Sequence, residues 1–108
     1  MNIAALTAAQ SFVDWINERP TGTGPGQVPE GYSYSLDHPG KRFVRIVMKA
    51  NGDRGGSVHA FVDVENGDLL KAAGWKAPAK GARGNLLDPE SLADVQARFT
   101  WSSGYLYR

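Results

Sequence analysis

The stretch SVHAFVDVENGDLL, residues 57–70, decides the fold. Val58, Ala60, Val62 and Val64 alternate with His59, Phe61 and Asp63, the two-residue period of a strand with one apolar face. Asn66-Gly67 then separates two apolar runs, and a type I′ turn needs positive φ at both of its central residues, so the pair predicts a β-hairpin. A two-residue loop there sets Glu65 opposite Asp68, Val64 opposite Leu69, Val62 opposite Lys71 and Ala60 opposite Ala73. Lys71 therefore shares a face with the valines. Either its stem lies along the sheet margin with the amine in water, or it reaches a site for anions.

Upstream, KRFVRIVMK at 41–49 is a second strand, with Val44, Ile46 and Met48 on one face and Phe43, Arg45, Val47 and Lys49 on the other. NGDRGG at 51–56 joins the two, with Asp53 and Arg54 at its tip. Before them, GYSYSLDHPG at 31–40 places Tyr32, Tyr34 and Leu36 on one side of a shorter strand that Pro39-Gly40 turns back.

Helical spacing frames this sheet. Leu6, Ala9, Phe12, Val13 and Ile16 form one apolar face, Thr7 and Gln10 match a capping box, and Pro20 cannot continue the ladder, which predicts a helix from about Ala8 to Glu18. Near the C-terminus, Asp88 as N-cap, Pro89 at the first helical position and Glu90 at the positive end of the dipole predict a second helix to about Arg98, with a Leu92, Val95, Phe99 stripe. Residues 20–31, PTGTGPGQVPEG, hold three prolines and four glycines and are expected to form an exposed, mobile loop. The closing TWSSGYLYR is too aromatic for a solvated appendage and is expected to dock as a last strand. The fold class that follows is α+β: one domain over 1–108, an antiparallel meander of three to five strands with an N-terminal and a C-terminal helix packed on it.

Composition narrows the function. Of 108 residues 42% are hydrophobic and 21% charged, an ordinary globular balance. With no cysteine there is no disulfide, thiolate zinc site or thiol nucleophile, and no metal or other cofactor is expected. The first twenty residues lack a basic n-region and carry Asp14 and Glu18, so they read neither as a signal peptide nor as an apolar span of roughly 18 residues. A cytoplasmic protein with no membrane partner is expected. Twelve Lys and Arg against eleven Asp and Glu leave a net charge of +1, too balanced for general attraction to nucleic acid.

Charge is nevertheless segregated. Residues 71–85, KAAGWKAPAKGARGN, hold Lys71, Lys76, Lys80 and Arg83 with no acid, and the remainder of the chain is net acidic. Glycines at 74, 81 and 84 permit close backbone approach to a ligand, Trp75 offers a stacking surface and Asn85 a hydrogen-bonding pair. These six residues, Lys71, Trp75, Lys76, Lys80, Arg83 and Asn85, are the candidate ligand-binding set for a nucleotide-like anion or an acidic surface on a partner. The plainer reading is a solvated connection whose tryptophan plugs the core; neither GxxxxGK[ST] nor GxGxxG is present.

No catalytic residues stand out. His38 precedes a turn proline, and His59 shares its strand face with Phe61 and Asp63, where a hydrogen-bonded, half-buried histidine is the ordinary outcome; no nucleophile elbow or HExxH accompanies them. Three tryptophans, four tyrosines and four phenylalanines exceed what the core alone needs, and serve interfaces as readily as stacking on nucleic acid.

GGSVHAFVDVENGDLLKAAGWKAPAKGARGN at 55–85, with the closing GYLYR, resembles a family of small uncharacterised proteins of tailed bacteriophages. The shared features are an aromatic-Val-Asp strand end, a Gly-Asp hairpin exit and a WKAPAK segment followed by Arg-Gly-Asn. The resemblance covers about residues 42–85 and the tail, with the N-terminal helix and the 20–31 loop outside it. It implies a phage origin, an accessory role in a bacterial host's cytoplasm and a host protein as partner, and carries no activity. The expected function is non-enzymatic binding of an anionic ligand or acidic partner by residues 71–85. The alternative is a structural protein that forms a homo-oligomer through strand edges and the aromatic tail.

Overall fold

A computed structural model describes residues 2–38, 40–51 and 55–107. Helix α1 (Ile3–Asn17) is followed by five strands, β1 (Ser33–Asp37), β2 (Phe43–Lys49), β3 (Ser57–Asp63), β4 (Asp68–Ala72) and β5 (Pro78–Asn85), then helix α2 (Pro89–Arg98) and a 3-10 turn at Ser103–Leu106. The strands form one antiparallel meander in chain order, as an α+β fold requires.

Both helices cover the same face. Ala9, Phe12, Val13 and Ile16 of α1 and Val95 of α2 join Tyr34, Val44, Ile46, Ala60, Val62 and Leu69 of the sheet in one buried cluster, which Phe99, Tyr105 and Leu106 complete. Removing each large side chain from water stabilises the fold by about 1.5–3 kcal/mol. Among the described residues, the opposite face carries no helix.

The first helix begins earlier than its sequence signals suggest. Asn2 is the N-cap, its side chain accepting from the Ala5 N–H at 3.3 Å while its own N–H donates to the Val64 carbonyl at 2.9 Å. Thr7 lies inside the helix, so its capping box with Gln10 is not used. Alanine has the highest helix propensity, and Ala4 and Ala5 help carry α1 back from Ala8 to Ile3. The second helix starts as its sequence indicates, with Asp88 Oδ1 accepting from the Glu90 N–H at 3.1 Å.

At the β3–β4 hairpin the register differs from the two-residue reading. Val62 pairs with Leu69 and Phe61 with Leu70, so residues 64–67 form a four-residue loop. The Asp63 carbonyl accepts from Gly67 N at 2.7 Å and its Oδ1 from Glu65 N at 2.9 Å, a side-chain-capped turn that outcompetes type I′. Gly67 has φ +84°, and a Cβ there would stand 2.8 Å from Leu87 Cγ. The slip is two residues, so each side chain keeps its face.

A second departure lies in β3. Ile46 pairs with Ala60 but Val47 with Val58, which leaves His59 without a partner in a β-bulge. The extra residue reverses the alternation. His59 turns from the face of Phe61 to the helix side, its ring 5.2 Å from Tyr34, 5.4 Å from Tyr105 and 5.7 Å from Phe99. Val58, opposite Val47, goes to the outer face.

The Gly/Pro-rich loop is anchored rather than wholly exposed. Val28 is buried in the core, Val28 N donates to the Pro20 carbonyl at 3.0 Å and Gly22 N to the Val28 carbonyl at 2.9 Å. The tail docks as expected, but as a 3-10 turn with Tyr105 and Leu106 buried and not as a strand. Asp53 and Arg54 of the expected hairpin tip, and Pro39 of the expected turn, lie outside the described residues. Among the described residues, no helix is long and apolar enough to cross a membrane.

Candidate functional site

Residues 71–85 do not form a loop. They are the end of β4, a turn over residues 73–77 and the edge strand β5, held by pairs from Asp68↔Asn85 to Ala72↔Pro78 and by a hydrogen bond from Ala73 N to the Ala77 carbonyl at 3.0 Å. Alanine, glycine and lysine carry little strand propensity, but two irregularities of pairing between Leu69 and Ala72, with Gly81 at φ +93°, let this chain follow the twisted sheet margin.

That geometry separates the six candidate residues. Lys71 stays on the helix side, its Nζ 4.2 Å from the Tyr107 ring centroid. Asn85 is a structural residue: its amide donates to the Asn66 carbonyl and to Asp68 Oδ1, both at 2.9 Å, and its Oδ1 accepts from Leu87 N at 2.8 Å. Arg83 is half-buried and Lys80 exposed, both on the edge strand. Trp75 and Lys76 lie in the turn, which arches over the face without helices.

On that face Arg45 has become the centre of a small structure missed in the sequence. It is 8% exposed; Nη2 meets Asp37 Oδ2 at 2.6 Å, Nη1 donates to the Trp75 carbonyl at 2.6 Å and the guanidinium lies 4.6 Å from the Trp75 ring centroid. The strand β2 supplies it because Arg45 alternates outward beside Val47. The signal for it was present as a cation in the middle of a strand. Trp75 remains 44% exposed, so the indole does not plug the core.

Two shallow clefts flank this stack. One, of about 330 Å³, is lined by Ser35, Asp37, Val47, Lys49, Gly55 and Trp75. The other, of about 240 Å³, is lined by Gly40, Lys41, Arg42, Phe43, Phe61 and Lys76. Arg42 bonds Asp63 at 3.0 Å and approaches Glu65 at 3.6 Å; the Asp63 hydrogen bond and charge raise the guanidinium's pKa. Lys41, Lys49 and Lys76 make no ion pair among the described residues. The face thus presents Lys41, Arg42, Lys49 and Lys76 around the buried Arg45, against the carboxylates of Asp37, Asp63 and Glu65.

His59 lies on the helix side, away from this face. It is 2% exposed, its Nε2 2.7 Å from the Tyr105 hydroxyl, and burial lowers its pKa to about 3. Asp63 belongs to Arg42, so the pair of His59 and Asp63 does not form. Burial likewise raises the Tyr34 and Tyr105 phenols, with the charge of Tyr32 adding at Tyr34, that of Tyr34 adding at Tyr105 and Arg98 opposing at Tyr105. Among the described residues no group of His, Asp or Glu is arranged to hold a metal ion.

A family model matches residues 6–108, almost the whole chain. The chain belongs to a family of unknown function, DUF7717. The match takes in α1 and the 20–31 loop as well as the sheet. No curated protein and no solved structure matches the chain.

Proposed function

We propose that this chain is a non-enzymatic interaction protein whose helix-free sheet face docks an acidic patch of a partner protein. The observation that carries the reading is Trp75, exposed and stacked on the anchored Arg45, between two clefts edged by Lys41, Lys49 and Lys76. A tryptophan held in place and ringed by cations has the character of an interface anchor. The cations are spread across a face and do not converge in one cavity, which favours an extended acidic surface over a single nucleotide. The resemblance to tailed-bacteriophage proteins adds that such a partner would be a host protein in the bacterial cytoplasm.

Titration of isotopically labelled protein with hexaglutamate at low salt tests the reading. Saturable shifts at the Trp75 indole, Lys76 and Lys49 are expected, weakened about tenfold, or 1.4 kcal/mol, by Trp75→Ala. A parallel titration with ATP distinguishes a small anion: tighter binding of ATP at the same residues replaces the acidic-partner reading with the nucleotide one. No saturable shift with hexaglutamate rejects it.

A further inference from the structure

A larger cleft than these two lies elsewhere, about 830 Å³ between the Gly/Pro-rich loop and the aromatic tail. We infer that it binds a flat, uncharged heteroaromatic molecule of about nucleoside size, independently of the sheet face. One wall is Trp101, Tyr105 and Tyr107, and the other is Thr23, Gly24 and Pro25. Its volume lies within the range of roughly 300–1,000 Å³ usual for small-molecule sites.

Both walls are built before any ligand arrives. The loop is closed by the bonds between Pro20, Gly22 and Val28, and Gln27 Oε1 accepts from Gly24 N at 2.9 Å. Trp101 is fixed by an edge contact with Tyr32 at 5.4 Å and by the Tyr34 hydroxyl, which donates to its carbonyl at 2.5 Å. A prebuilt cleft spares a ligand the entropy of ordering its receptor.

Charge selects the ligand class. The one ionic side chain in the lining, Arg98, is held by Asp94 at 2.9 Å and donates to the Tyr105 carbonyl at 2.8 Å. Its charge is balanced by Asp94, and the Lys71 amine beside the cleft is engaged by the Tyr107 ring, 4.2 Å from its centroid. The rest of the lining is aromatic, Trp101, Tyr105 and Tyr107, with the hydroxyl-bearing Thr23, Thr100 and Ser102 and the Gly24, Pro25 and Gly104 backbone. Planar rings stack on such walls, and a neutral ring with polar edges matches the hydroxyls without leaving a charge unpaired.

The test is a titration of labelled protein with adenosine, cytidine and indole, read at the amides of Thr23 and Ser102 and the Trp101 indole. At least one probe should give saturable shifts confined to these residues. Thr23→Trp, at an exposed loop position, should fill the cleft and weaken binding at least about tenfold with unchanged melting temperature, and exposed Tyr107→Ala should weaken it too. Adenosine monophosphate should bind no better than adenosine. Absence of saturation with all three probes, wild-type affinity in Thr23→Trp, or tighter binding of the monophosphate overturns the inference. The sheet-face reading is unaffected by any of these results, since its reporters are Trp75, Lys76 and Lys49.

Discussion

His59 condenses what single residues contribute. A bulge turned it inward, three aromatic rings enclosed it, and the loss of hydration lowers its pKa from 6.5 to about 3. The unfolded chain therefore binds a proton in a pH range where the folded chain does not. Stability from this group is fully present above about pH 6.5 and is lost as the pH falls from there toward 3, by about 1.4 kcal/mol per unit. Urea denaturation across this window should show that slope added to the carboxylate contribution, and the His59 ring resonances should stay constant from pH 8 to about 4. A midpoint near 6.5 in those resonances would place the ring in water. Tyr105 depends on the same pair, its hydroxyl being the one partner His59 has at Nε2. The alternation of residues 57–64 was legible in the sequence, yet the face of His59 was not, because one unpaired residue reverses the parity of everything before it. Arg45 escaped notice for a related reason: its partners, Asp37 and Trp75, are eight and thirty residues away in the chain.

At the scale of elements, local signals were decisive where they were unopposed. Asp88-Pro89-Glu90 starts α2 as written, and the apolar face of α1 is the one that is buried. Thr7 and Gln10 also spelled a cap, but alanines upstream carried the helix back to Asn2. Asn2→Ala should consequently cost about 1 kcal/mol in thermal unfolding, and Thr7→Ala should be close to neutral. Residues 78–85 gave no strand signal because the side chains that favour strands are absent from them; pairing with β4 makes them a strand. The contact of α2 with β5 rests on Gly84, where a Cβ would lie 2.5 Å from Val95 Cγ2. Gly84→Ala should therefore destabilise by about 1–3 kcal/mol in chemical denaturation, with part of the loss restored by Val95→Ala. An unchanged stability would mean that helix and strand are further apart. β5 itself is a poor edge for oligomer growth, since Pro78 lacks a donor and Lys80 places charge on the margin.

Across the whole molecule, charge follows the layers. The helical layer carries Asp14, Glu18, Asp88, Glu90 and Asp94 against Arg19 and Arg98, while the lysines lie on the strands and the turns that join them. This segregation was visible in the sequence as a basic segment, but its shape was not. The cations of that segment divide between two faces, and those that act together with Trp75 are Lys76 of the segment itself and Lys41, Arg45 and Lys49 from β2 and the turn before it. A molecule with an acidic side and a basic side approaches an acidic partner in one orientation, and the attraction decays with salt.

The affinity of hexaglutamate for the wild-type protein and for Lys41→Glu/Lys76→Glu, measured from about 0.05 M to about 0.5 M salt, tests that docking face most directly. Binding that weakens steeply with salt in the wild type, is lost in the charge-reversed variant and survives in Arg19→Glu on the helical side is the expected result. Equal affinity in the wild type and the Lys41→Glu/Lys76→Glu variant would contradict the assignment of the sheet face.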